Sequence, residues 1–171
     1  KSYQSYAAQH DLVVSGNGDI NWILLRLLLG LKKQHRTIVG EAKNTKDSVS
    51  DPQFRRLCSI LDIQFPVQSH LGVFFSRSGA SGFPDRERER RQRTLEYARA
   101  TQIIFHAATG KYVVVLDHKD ILRLAEPGAL PRLLLAKIRD VEEVTGLPLV
   151  FDNEWNENED LPPHIAEVIH A

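Results

Sequence analysis

At 171 residues, with 42% hydrophobic and 26% charged side chains, the chain has the size and balance of one globular domain with a real core. Its 22 basic and 22 acidic residues cancel, which excludes a global field that would recruit a polyanion; any nucleic-acid contact has to come from a local patch. One cysteine, Cys58, excludes an internal disulfide and points to the cytoplasm or another reducing intracellular compartment. The most apolar run, residues 20–31, is too short for a membrane span and is broken by Arg26. The polar start carries no signal-peptide pattern. A chain that opens at Lys1 and holds no Met reads as a fragment or a processed form, which leaves room for a partner domain or a homodimer.

In chain order, Tyr3, Tyr6 and Ala7 have helical spacing, so residues 1–10 read as a helix end. "LVVSGNGDINWILL" places two apolar stretches around a turn signal, and reads as strand, tight turn, strand, with the second arm opening at Asp19 or Ile20. Ile20, Ile23/Leu24, Leu27/Leu28 and Leu31 also fit a helix face, and periodicity alone does not choose. "TIVGEAKN", residues 37–44, is the next strand. Ser50 or Asp51 as N-cap, with Pro52 at the first helical position, opens a helix that buries Phe54, Leu57, Cys58 and Leu61 and turns Arg55 and Arg56 outward.

"HLGVFFSRSG" is a further strand, closed by a Ser/Gly-rich loop, and a long helix is expected over residues 86–109. Residues 112–116 are a fully apolar strand core. The segment 129–146 is a helix with Leu133, Leu134, Ile138 and Val141 inside and Gly146 as its C-cap. In "LDHKD", Asp120 is expected to cap a strand-to-helix turn. The order α-β-β-β-α-β-α-β-α predicts an α/β domain, a mixed sheet flanked by helices, over residues 1–148. Residues 149–171 read as an acidic tail with a short helix.

Chemistry concentrates at the end of "TIVGEAKN". Residues i and i+2 of a strand share a face, so Glu41 and Lys43 point together while Ala42 turns away. They are either an exposed ion pair at a sheet edge or half of an active site. A metal-dependent phosphodiesterase holds a hard cation through oxygen ligands near the scissile phosphate. It also uses a cationic side chain to orient water or neutralise developing charge. "GDIN" opens one predicted strand and "GEAK" ends the next, so a hairpin-like pairing would bring Asp19 and Glu41 together beside Lys43.

"GNGDINWILL…RTIVGEAKN…DPQFRRL" resembles the PD-(D/E)xK, or restriction-endonuclease-like, nuclease superfamily over roughly residues 1–120. Glu41 and Lys43 match the D/E-x-K element. The resemblance implies a restriction-endonuclease-like mixed β-sheet flanked by helices. It also implies a Mg2+-dependent endonuclease, with Mn2+ as a substitute and DNA as the default substrate. Asp19, Asn21 and Glu41 would hold the metal, and Lys43 would orient the attacking water. Gln53 stands where some branches carry a glutamine near the metal or phosphate; a solvated first-turn residue is the plain alternative.

One departure stands out. Where several branches read G-E-I-D-x-(apolar)3, this chain has Asp19 at the Glu position and Asn21 at the Asp position. Asp19 is then the true ligand, or the site is naturally degenerate, or Asn21 is an inactivating substitution. A non-catalytic nucleic-acid-binding or protein-interaction module on the nuclease fold is the rival reading.

Nucleic-acid contacts are expected from Lys32, Lys33 and Arg36, a small basic group placed beside the site, and from Arg77 in the "SRSGASG" loop. "RERERRQR", residues 86–93, reads as a solvated helical face or a phosphate-contacting one. The acidic tail reads as a solvated segment. No nucleophile-elbow, P-loop or dinucleotide pattern is present.

Overall fold

The structure, a computed structural model, describes residues 3–4, 9–10, 12–16, 20–83 and 98–147. Its centre is a four-stranded mixed sheet of β3 (Leu12–Ser15), β4 (Thr37–Lys43), β5 (Ser69–Ser76) and β6 (Tyr112–Leu116), in that spatial order. β3 runs antiparallel to β4, with Leu12 opposite Gly40 and Ser15 opposite Thr37. The other three strands are parallel. Parallel neighbours need crossovers, and helices supply them: α2 (Asp51–Ser59), prolonged by a π-helical turn at Ile60–Gln64, joins β4 to β5, and α3 (Ala98–Thr109) leads into β6. The short helix α4 (His118–Arg123) and the long helix α5 (Ala129–Thr145) follow β6. This bears out the mixed α/β sheet flanked by helices.

Helices on both faces explain why β6 is buried at every position and reads as an unbroken apolar run. Pleating sorts its side chains and those of its neighbours. Val39, Phe74, Val113 and Val115 pack with Phe54, Leu57 and Cys58 of α2 and Ala98 of α3. Ile38, Leu71, Val73, Tyr112, Val114 and Leu116 pack against Trp22 and against Leu133, Leu134, Ile138 and Val141 of α5. Gly72 marks the tightest approach on the α2 side: a Cβ there would stand 2.7 Å from Leu61 in the π-helical turn.

Two element assignments are corrected. Residues 20–31 are not the second arm of a hairpin. They form α1 (Ile20–Leu28), which buries Trp22 and Arg26, with Leu29 continuing the same side at i+7. A nearly continuous leucine run satisfies both periods, and the strand beside β4 is already supplied by Leu12–Ser15. The N-terminal helix end is also replaced, by an antiparallel pair of two-residue strands, β1 (Tyr3–Gln4) and β2 (Gln9–His10).

The punctuation of α2 and α5 holds. Ser50 is the N-cap of α2, with Pro52 in the first turn. Gly146 ends α5 with φ +68°, a conformation that glycine adopts without a Cβ penalty. Asp117, rather than Asp120, is the N-cap of α4: its carboxylate accepts the Asp120 N–H, and Asp120 returns the bond. The described part of the long helix begins at Ala98, so the basic run 86–93 lies outside the described residues, as do Asp19 and the acidic tail. No described helix is long and apolar enough to cross a membrane.

Candidate active site

β4 leaves the core at its C-terminal end. Val39 still packs under α2, and the next two residues on that face are Glu41 and Lys43, both partly buried, while Ala42 on the other face is exposed. α2 runs back antiparallel along this face, so its first turn meets the strand's last residue. Lys43 Nζ donates to Gln53 Oε1 at 2.6 Å and to the Ser48 carbonyl at 2.9 Å. One turn further along α2, Arg56 Nη1 lies 3.4 Å from Glu41 Oε1.

This arrangement bears on the plain ion-pair reading of the two residues. Among the described residues Lys43 does not ion-pair with Glu41; its contacts are two neutral oxygens. The plain same-face ion pair is therefore not what these residues form. Glu41 has only 14% of its side chain exposed, and it faces a cation from the helix rather than from its own strand.

The loops that continue β4 and β5 are stitched into one rim. Val49 N–H donates to the Gly79 carbonyl and Ser81 N–H to the Val49 carbonyl, both at 2.9 Å. Ser78 Oγ donates to the carbonyls of Lys46 and Thr45. Arg77 N–H donates to the Lys43 carbonyl, which places exposed Arg77 directly beside the end of β4. Pairing each loop's backbone with the other satisfies groups that the ending strands leave open.

Asp51, which opens α2, is committed elsewhere. Its carboxylate accepts hydrogen bonds from Thr101 Oγ1 of α3 and from Arg55 Nε. The Thr101 bond, then Arg55, holds it below the ordinary carboxylate range. Cys58 is buried, which pushes its thiol up to about 12, so it is core rather than nucleophile.

The predicted residues divide. Glu41, Lys43, Gln53 and Arg77 come together at the C-terminal end of β4. Asn21 does not lie on a strand paired with β4; it is in the first turn of α1 and exposed. Lys32, Lys33 and Arg36 precede Thr37, the other end of the seven-residue β4. At about 3.3 Å per residue they stand roughly 20 Å from Lys43, so they are not beside the site as expected.

The ladder also shows what the sequence reading missed. Leu12 is opposite Gly40, the neighbour of Glu41, so β3 rather than a strand opened by "GDIN" is the antiparallel neighbour of β4. The residue that precedes Leu12 is Asp11, outside the described residues.

Among the described residues no three His, Cys, Asp or Glu side chains form a group that could hold a metal ion. Mg2+ needs less than that, because it is commonly held by one or two carboxylates with water completing its shell. A partly buried Glu41 at the strand end fits that requirement. Comparison with protein-family models, with curated proteins and with solved structures finds no match for this chain.

Proposed function

We propose that this chain is a divalent-cation-dependent nuclease of the restriction-endonuclease-like kind, hydrolysing phosphodiester bonds with DNA as the default substrate. The observation that carries the reading is the separation of Lys43 from Glu41. The ammonium is clamped by Gln53 and Ser48, two neutral acceptors, so its charge is not cancelled by the carboxylate two residues away. A surface pair would be expected to close on itself. A site that needs a carboxylate for a cation and an ammonium for a phosphate keeps them apart.

Glu41 would hold Mg2+ or Mn2+, and Asp11 is the first choice for a second carboxylate, because Leu12 lies opposite Gly40. Bound there, the cation would lower the pKa of a water and draw charge from the phosphate. Lys43, aimed by Gln53, would orient that water or neutralise charge that develops on the phosphate oxygens. Water adds to phosphorus, the bond to the leaving sugar oxygen breaks, and that oxygen takes a proton. The stitched rim with Arg77 would support the flanking backbone.

The test is a cleavage assay on single- and double-stranded DNA with Mg2+, Mn2+ or EDTA, comparing the chain with Glu41→Gln and Lys43→Ala. Cation-dependent cleavage lost in both variants supports the nuclease. Salt-sensitive DNA binding that ignores EDTA, without cleavage, would instead establish a non-catalytic binding module.

A further inference from the structure

We propose that Thr101 is a positioning residue for Lys43: by holding Asp51 it fixes the first turn of α2, and with it the glutamine that aims the ammonium. This rests on the nuclease reading above and deepens it. A lysine side chain is a flexible four-carbon stem with a point charge at its tip, so its aim has to be imposed by its neighbours. Gln53 Oε1 imposes it at 2.6 Å, and the glutamine is itself held at 3.0 Å by the Ser50 N–H. The clamp is therefore only as well placed as the first turn of α2, and the end of a helix is the part that frays.

Asp51 stands in that turn, two residues before Gln53. Its carboxylate has two donors, Arg55 Nε at 2.7 Å and Thr101 Oγ1. Arg55 is an exposed residue of α2 itself, so its bond moves with the helix and fixes nothing outside it. The bond from Thr101 is the one of the two that crosses to another element, α3. Thr101 is buried, and a hydroxyl-to-carboxylate bond is roughly twice as strong as one between neutral groups.

α3 is in turn anchored around Thr101. Gln102 Nε2 donates to the Val113 carbonyl of β6 at 2.5 Å, and Arg99 Nη2 lies 2.9 Å from Asp140 Oδ2 of α5. At the start of the helix, the Ala98 N–H donates to Ser81 Oγ on the rim at 3.1 Å. A line of contacts thus runs from β6 through Gln102, Thr101, Asp51 and Gln53 to Lys43. It refers the ammonium on β4 to the backbone of a strand two places away in the sheet.

The experiment compares Thr101→Val, which removes the donor at nearly constant shape, with Thr101→Ser, which keeps it. Thr101→Val is also made in a Gln53→Ala background. Three quantities are read on the full chain: kcat and KM for duplex cleavage with Mg2+, the melting midpoint, and 15N relaxation of the Lys43 ammonium, assigned with Lys43→Arg. Thr101→Val is expected to lower kcat about 10-fold at nearly constant KM, the pattern of a misaligned group that acts in the transition state. Thr101→Ser should recover most of the rate. The Lys43 ammonium should become more mobile in Thr101→Val, as it does in Gln53→Ala. In the Gln53→Ala background, Thr101→Val should still lower the melting midpoint but take no further rate.

Rate losses that multiply in the double variant overturn the proposal, because Thr101 then acts on the fold and not through the clamp. Unchanged ammonium relaxation in Thr101→Val overturns it as well. Asp51→Asn weakens the same bond from its other end; it should loosen the ammonium to a smaller extent, and decides the matter if Thr101→Val does not fold. If the parent chain cuts no DNA with Mg2+ or Mn2+, the nuclease reading falls, while the relaxation measurement still decides whether Thr101 holds Lys43.

Discussion

Lys43 Nζ and Ser50 N–H share one acceptor, Gln53 Oε1, at 2.6 and 3.0 Å. The glutamine that closes the first turn of α2 is therefore also the group that fixes the strand-end ammonium. Its two tasks separate on substitution. Gln53→Glu keeps a helix-closing acceptor but sets a carboxylate against Lys43, so thermal stability should change by less than about 0.5 kcal/mol. Cleavage should fall by about 10- to 100-fold, on the scale of one lost electrostatic stabiliser. Gln53→Ala should lower both, with about 1 kcal/mol lost at the cap. Thermal melts and single-turnover rates on the same preparations measure the split. Equal activity in Gln53→Glu and the parent would mean that the clamp has no part in turnover.

The β3–β4 register places Leu12, which Asp11 precedes in sequence, opposite the neighbour of Glu41. Ser15, the last residue of β3, is opposite Thr37, at the far end of β4 from Glu41. Asn21 follows in the first turn of α1. Asp11→Asn is expected to abolish Mg2+-dependent cleavage, whereas Asp19→Asn should leave it within a few-fold. Asn21→Asp should confer nothing. A gain of cleavage in Asn21→Asp would restore that residue as an inactivated ligand. The comparison is decisive because each change removes or adds one charge at nearly constant shape.

Legibility followed how local the deciding interaction was. α2 and α5 could be placed because Ser50, Asp51 and Pro52, and Gly146, are punctuation within one turn of the helix they delimit. The shared face of Glu41 and Lys43 followed from strand alternation alone. α1 was misread because an almost unbroken apolar run satisfies the helix and the strand period alike. Its fate depended on Leu12–Ser15 pairing with β4, which lies beyond α1 in sequence. The misplaced basic group had the same cause: Lys32 and Arg36 are close to Glu41 in sequence, but the seven residues of β4 carry them to its opposite end. Gln53 meeting Lys43 and Arg56 meeting Glu41 required the crossover helix to run antiparallel to its strand. The residue list alone does not fix that contact.

A second titratable cluster, at the N-terminal ends of the parallel strands, predicts acid lability. His35 and His70 stack with centroids 4.4 Å apart and planes 9° from parallel. Tyr112 stands edge-on to His70 and to His106. Burial, followed by the charges of Lys32, Lys111 and Arg26, pushes His35 down to about 4. Burial, then His35, Lys111, His106 and Lys32, does the same to His70. His106 is also lowered by burial, against the opposing pull of Glu142.

Both stacked rings are thus neutral in the fold, while in the unfolded chain they titrate near 6.5. Between pH 6.5 and 4 the unfolded state binds more protons, so stability falls as pH drops through that window and is level above it. The pair together should cost about 3 kcal/mol across the window, less than the full shifts imply because water screens the partly exposed His70. Urea denaturation at pH 7 and pH 4.5 measures this loss. His35→Asn and His70→Asn should each flatten the slope, whatever they do to stability at pH 7. An unchanged slope in both would locate the acid sensitivity elsewhere.

The last prediction concerns where a nucleic-acid backbone lies. Arg77 and Lys46 sit on the stitched rim beyond β4 and β5: Arg77 N–H is bonded to the Lys43 carbonyl and the Lys46 carbonyl to Ser78. Lys32 and Lys33 lie at the opposite end of β4, roughly 20 Å away by strand length, beyond the Debye length of about 8 Å at physiological salt. Each phosphate contact steepens the salt dependence of duplex binding by about 0.9. Arg77→Gln with Lys46→Gln should therefore lower the slope by nearly 2, while Lys32→Gln with Lys33→Gln leaves it unchanged. Fluorescence anisotropy of a labelled duplex across a salt series reads both. If the two pairs exchange these effects, the backbone crosses the histidine end of the sheet, and Glu41 and Lys43 are not where DNA binds.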